Sequence, residues 1–166
     1  LYIDDELRNK LLGPGEQVTQ KPPSDSESWS ILLAEDNPGD VFLVRRALEV
    51  HQIRHELRLA KDGEQALEAV RQAEAGVFPI DLILVDLNLP RYDGGQIVLA
   101  ARSGIRMRHT PIILLTSSDS PHDRRRITEL GANLYFRKPS DLGLFMEIGE
   151  MVKAVMESRR TRSLHA

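Results

Sequence analysis

Asp81-Leu82-Ile83-Leu84-Val85-Asp86 sets four apolar residues in a row between two aspartates. A strand with one wet face alternates apolar and polar residues, so an unbroken apolar centre belongs to a strand covered on both faces, as in the middle of a parallel sheet. Pro111-Ile-Ile-Leu-Leu-Thr116 repeats the pattern and predicts a second central strand. Further out, 30–34 reads as the first strand and 134–137 as a short last one, while 55–60 alternates as a half-covered edge strand does.

Helical periodicity fills the intervals. Val41, Val44, Ala47 and Leu48 give an apolar face to a helix that Asn37 caps and Pro38 opens. Ala66, Leu67, Val70 and Ala73 mark a second helix, and a third follows Gly94-Gly95. A fourth is expected over 121–130 and is stopped by Gly131; Phe145, Ile148, Val152 and Val155 stripe the last, with Met146, Met151 and Met156 packing beside them. Strands alternating with helices in this way predict an α/β fold: right-handed crossovers and a doubly wound parallel sheet with helices on both faces.

The 166 residues suit one domain with additional sequence. Residues 1–28 read as an N-terminal extension, with a short helix at 4–12 ended by Gly13-Pro14-Gly15 and then a polar linker rich in Pro, Ser and Gln. The domain is expected over 29–157, followed by a basic tail at 158–166. The 22 basic and 25 acidic side chains are interspersed and leave a net charge of −3, so no large field draws a polyanion and nucleic acid is not an expected partner. This balance also favours a solvated reading of Arg124-Arg125-Arg126 over nucleic-acid contact. The absence of cysteine excludes disulfides, thiolate metal sites and a cysteine nucleophile, and agrees with a reducing cytoplasm. No apolar run approaches the roughly 20 residues that cross a bilayer, so no membrane association is expected. The five histidines lack metal-ligand spacing, and His51 and His55 read as surface residues.

In open parallel sheets ligands bind beyond the carboxyl ends of the strands. Those ends carry Glu35 and Asp36, then Asp86, Thr116 and Lys138. Carboxylates brought together repel one another unless a cation neutralises them, and oxygen ligands without His or Cys favour a hard ion, for which Mg²⁺ is the expected choice. With a lysine and a hydroxyl beside the acids, the rim has the groups that phosphoryl transfer needs. Asp86, on a rigid buried strand, is the candidate nucleophile. Taken singly, each residue has a plainer reading: Glu35-Asp36 as a helix cap, Asp86 as a strand end, Thr116 as a strand former, Lys138 as a solvated loop lysine.

Four motifs in one order carry a resemblance: Ile31-Leu-Leu-Ala-Glu-Asp36, Leu82-Ile-Leu-Val-Asp86-Leu-Asn-Leu-Pro90, Ile112-Ile-Leu-Leu-Thr116-Ser117 and Tyr135-Phe-Arg-Lys138-Pro139. The chain resembles the response-regulator receiver family of two-component systems, with about 30 residues from Asp86 to Thr116 and about 22 more to Lys138. The resemblance implies a flavodoxin-like (βα)5 fold with strand order 2-1-3-4-5 and a phosphoryl group accepted on Asp86 from a histidine kinase. It implies Mg²⁺ on Asp36, Asp86 and the carbonyl of Asn88, with Glu35 acting through a water. Thr116 and Lys138 would hold the phosphoryl oxygens. Tyr135 matches the family's switch aromatic, which turns inward as the Thr116 hydroxyl moves; a part-buried packing tyrosine is an equal reading. The Lys138-Pro139 bond is expected to be cis.

Glu35-Asp-Asn-Pro-Gly-Asp40, Asp86-Leu-Asn-Leu-Pro-Arg91 and Leu115-Thr-Ser-Ser118 are similar to single-domain regulators found beside bacterial phytochrome-type histidine kinases. The residues after Met156 are too few for an output domain, so signalling is expected through protein contacts. These would be a homodimer across the fourth helix, fifth strand and last helix, or transfer to a histidine phosphotransfer protein. The expected chain is thus no turnover enzyme. Two rivals remain: a magnesium-dependent phosphohydrolase with an aspartyl nucleophile, suggested by Asp86-Leu-Asn88, and a receiver-like interaction module that is never phosphorylated.

Overall fold

The computed structural model describes residues 28–118, 129 and 131–163, with side chains to 159. The expected helix at 4–12, the linker, the expected fourth helix over 121–130 and its arginine run fall outside these residues, apart from Glu129, which is helical. Five strands alternate with helices: β1 (Trp29–Ala34), α1 (Pro38–Val50), β2 (His55–Ala60), α2 (Gly63–Glu74), β3 (Leu82–Asp86), α3 (Gly94–Ser103), β4 (Ile112–Thr116), β5 (Leu134–Arg137), α4 (Leu142–Phe145) and α5 (Glu147–Ser163). The strands form one parallel sheet in the order β2-β1-β3-β4-β5, as expected.

Every residue of β3 and β4 is buried, whereas β2 at the edge alternates. The sheet therefore divides two apolar layers. Ile83, Val85, Ile112 and Leu114 face α2 and α3, and Leu82, Leu84, Ile113 and Leu115 face α1 and α5. Asn37 caps α1 by accepting from the Gly39 N–H, and Asp93 and Gln96 form a reciprocal capping box on α3. No helix among the described residues is long and apolar enough to cross a membrane.

The last helix runs to Ser163, and Arg159 on it reaches back to the sheet: Nη1 donates to the Asp81 carbonyl at 2.6 Å, and the guanidinium lies 5.8 Å from the Trp29 ring centroid. His51, expected on the surface, is half-buried where α1 ends, with Nε2 3.1 Å from the Met146 carbonyl. Gly149 of α5 makes this contact possible, because a Cβ there would stand 2.2 Å from the His51 ring.

Long-range polar knots tie the end of the sheet opposite the rim. Arg102 donates to the carbonyls of Gly131 and Thr110 and to Asn133 Oδ1, each at 2.8 Å, and burial pushes its pKa down to about 10. Glu74, at the last turn of α2, accepts from the backbone N–H groups of Ile105, Arg106 and Met107 at 2.7, 3.0 and 3.0 Å. Gly104 lets the loop come so near, since a Cβ there would lie 2.3 Å from Glu74 Oε2. Partial burial alone would raise the Glu74 pKa, but the three N–H groups and the Arg106 charge hold it below the ordinary 4.5.

A lowered folded pKa stabilises the native state above the unfolded value, and the gain is lost as pH falls through the folded value. Glu74→Gln is expected to cost about 1 kcal/mol near pH 7, at the low end because water also reaches the carboxylate. The difference should shrink toward zero in acid, once pH has fallen through the folded value. Urea unfolding of both proteins near pH 7 and in acid checks this, and an equal gap at both would refute it.

Candidate functional site

Register brings the site together. Ala34 pairs with Val85 and Leu115 with Asp86, so Glu35, Asp86 and Thr116 end three adjacent strands. Thr116 pairs in turn with Arg137, and the Lys138 N–H donates to the Thr116 carbonyl at 2.8 Å, which aims the lysine over the same rim.

Lys138 Nζ donates to Glu35 Oε2 at 2.7 Å, to Asp40 Oδ2 at 2.8 Å and, closely, to Asp86 Oδ2. Its side chain is only 7% exposed and that of Glu35 is wholly buried, so these contacts act at low dielectric. Burial by itself would lower the Lys138 pKa, but the bonds to Asp40, Asp86 and Glu35 outweigh it and raise it above the ordinary lysine value. Burial raises the Glu35 pKa above 4.5 even though Lys138 and the Asn37 N–H oppose the shift.

Asp86 Oδ1 accepts from the Asn88 N–H at 2.7 Å, which folds the chain after β3 around the carboxylate. Gly94 supports that turn: it donates to the Leu87 carbonyl at 3.0 Å, and a Cβ on it would stand 2.3 Å from the Asp86 carbonyl oxygen. Thr116 is buried, and its Oγ1 accepts from the Ser118 N–H at 3.0 Å. Tyr135 is 40% exposed on β5. The expected cis bond is corrected: the Lys138-Pro139 peptide is trans. Lys138 reaches all three acids in that form, so the site does not require the isomer that is ordinarily disfavoured by about 0.5–1 kcal/mol.

The structure thus places Glu35, Asp36, Asp86, Thr116 and Lys138 on one rim, with Asn88 in the adjoining turn. It adds Asp40, to which no role was given from sequence. The available signal was its place in the first turn of a capped helix, four residues after Asp36, where side chains lie beside the strand ends.

Glu35, Asp36 and Asp86 each offer one oxygen, all within 4.8 Å of one another. Glu35 and Asp86 already share Lys138, while Asp36 is exposed and makes no hydrogen bond or ion pair among the described residues. Three hard oxygen donors so placed, one of them unengaged, fit a hexacoordinate divalent ion.

A parallel α/β sheet whose strand ends gather an acid triad under a buried lysine defines a class of protein able to carry a phosphoryl group on a carboxylate. Within that class, the family model of the response regulator receiver domain matches residues 31–149, and the chain belongs to this family. It is 35% identical to response regulator Rcp1 of Synechocystis sp. over 115 residues, covering 68% of this chain and 78% of that protein.

The crystal structure of the phosphorylated cyanobacterial phytochrome response regulator RcpA superposes with a TM-score of 0.71 at 30% identity, covering 80% of this chain and 96% of that one. The Mn²⁺-bound form of Rcp1 gives 0.67 at 31%, covering 76% and 92%. By contrast, the chain spans only 29% of a probable cyclic di-GMP phosphodiesterase of Vibrio cholerae, to which it is 26% identical over 140 residues.

Proposed function

We propose that Asp86 accepts a phosphoryl group from the phosphohistidine of a histidine kinase, of the phytochrome type suggested by the similarity to Rcp1 and RcpA. One Asp86 carboxylate oxygen forms the bond to phosphorus as the donor's P–N bond breaks, and the imidazole keeps the electron pair. Asp86 attacks as the anion, so no proton has to be moved from it. Lys138 meets the charge on the transferring oxygens and Thr116 donates a hydrogen bond. Asp36, Asp86 and the Asn88 carbonyl would hold Mg²⁺, with Glu35 acting through a water, and the ion would supply neutralisation of phosphoryl charge. The receiver supplies the groups for its own phosphorylation and dephosphorylation and turns over no separate substrate.

Thr116 and Tyr135 form the switch, moving inward once Asp86 is modified. Output passes through protein contacts: a homodimer across β5, α5 and the expected fourth helix, or transfer to a histidine phosphotransfer protein. The observation that carries this reading is the buried Lys138 bonded to Asp86 beside three converging carboxylate oxygens.

Incubation with an autophosphorylated kinase of that class and Mg²⁺ tests it, with transfer of label from kinase to this chain as the expected result. The metal assignment has its own check. Mg²⁺ should raise the melting temperature of the wild type, and Asp36→Asn should bind the ion at least about tenfold more weakly, because a ligand charge is gone. Equal Mg²⁺ affinity in both proteins, measured by calorimetry, would place the ion elsewhere.

A further inference from the structure

An ammonium group has three N–H donors. On Lys138 all three are engaged by carboxylates, those of Glu35, Asp40 and Asp86. Two of these acids belong to the triad whose oxygens converge within 4.8 Å, whereas Asp40 stands outside it.

Asp40 is also held in place. It lies in the first turn of α1, whose start is set by the Asn37 cap and Pro38. A carboxylate there is favoured by the positive end of the helix dipole. Its side chain is 22% exposed, and Lys138 is its side-chain partner among the described residues.

A phosphoryl oxygen can take an N–H of Lys138 only if one carboxylate releases it. A cation at the triad satisfies Glu35 and Asp86 in place of the lysine, but offers nothing to Asp40. Asp40 also sets a fixed negative charge on the same ammonium that an incoming phosphoryl anion must use.

We propose that Asp40 is a positioning residue that restrains Lys138: it competes with the phosphoryl group for the ammonium and sets how fast Asp86 is acylated and how tightly phosphoryl oxygens are held. The inference rests on the receiver chemistry proposed above and adds a residue to it.

The test compares wild type with Asp40→Asn, Asp40→Ser and Asp40→Glu in Mg²⁺. Acetyl phosphate serves as donor; its P–O bond to the acetyl group breaks as the Asp86 O–P bond forms, and acetate leaves with the electron pair. The rate constant for acylation is read alongside the affinity for beryllofluoride, followed by ¹⁹F NMR, which reports phosphoryl-like binding without any chemistry.

Loss of the charge in Asp40→Asn and Asp40→Ser should raise both quantities by about three- to tenfold, which corresponds to a modest change in competition for one hydrogen bond. Asp40→Glu, which keeps the charge, should stay nearer the wild type. A merely structural role for Asp40 would lower folding stability in the variants without making beryllofluoride bind more tightly. If the wild type takes both reagents and the two neutral variants match it within about twofold, or fall below it, the inference is overturned while the receiver chemistry stands. If the wild type takes neither, the receiver chemistry fails and the inference with it.

Discussion

Asp86→Asn is expected to take no label from a phosphorylated histidine kinase or from acetyl phosphate, a loss of at least about a thousandfold, because an amide oxygen is no substitute for the attacking carboxylate. The fold should survive. An asparagine can still accept from the Asn88 N–H, which now bonds Asp86 Oδ1 at 2.7 Å, and removal of one charge relieves repulsion with Glu35 and Asp36. The two effects separate chemistry from folding: label retention is read after acid precipitation and stability by urea unfolding. Label that persists in a folded Asp86→Asn protein would show that another residue is the acceptor.

Lys138→Met should act on both properties. Methionine approximates the length of the lysine stem but brings no charge, so Glu35, Asp40 and Asp86 lose their shared partner. Removing one member of a buried ion cluster leaves uncompensated charge, and the expected cost without metal is about 3 kcal/mol. Protonation of Glu35, whose pKa burial already raises, keeps the loss from being larger. Mg²⁺ should restore part of the stability, because a cation again sits among the acids. Acceptance of the phosphoryl group should still fall by about a hundredfold with Mg²⁺ present, since the charge that meets the transferring oxygens is gone. Urea unfolding with and without the ion, together with the acceptance rate, checks both statements. A variant as stable as the wild type in metal-free buffer would mean that the lysine is not needed to hold the acids together.

Much of this was legible in the order of the residues. The unbroken apolar runs of β3 and β4 and the alternation along 55–60 reflect how many faces of each strand are covered, which is a local property of a pleated chain. Once the strands are parallel and adjacent, their register carries Glu35, Asp86 and Thr116 to a common edge, so those residues could be named from spacing. The trans Lys138-Pro139 bond could not be chosen that way, because the two isomers differ by little in isolation and the surroundings decide. The burial of His51 also escaped notice, since it depends on a glycine almost a hundred residues away. Glu74 and Arg102 are similar cases: in sequence each is an ordinary charged residue at a helix end, and only the approach of the 105–107 loop and of Gly131 turns them into knots.

Periodicity, caps and strand-end chemistry are short-range and survive in the linear text, which is why the five parallel strands and the acids along their rim could be read from it. The sharing of one ammonium among Glu35, Asp40 and Asp86 could not, because these partners lie 103, 98 and 52 residues from Lys138. Their contact is settled by side-chain reach across three packed elements, and no pattern along the chain encodes a distance of that kind.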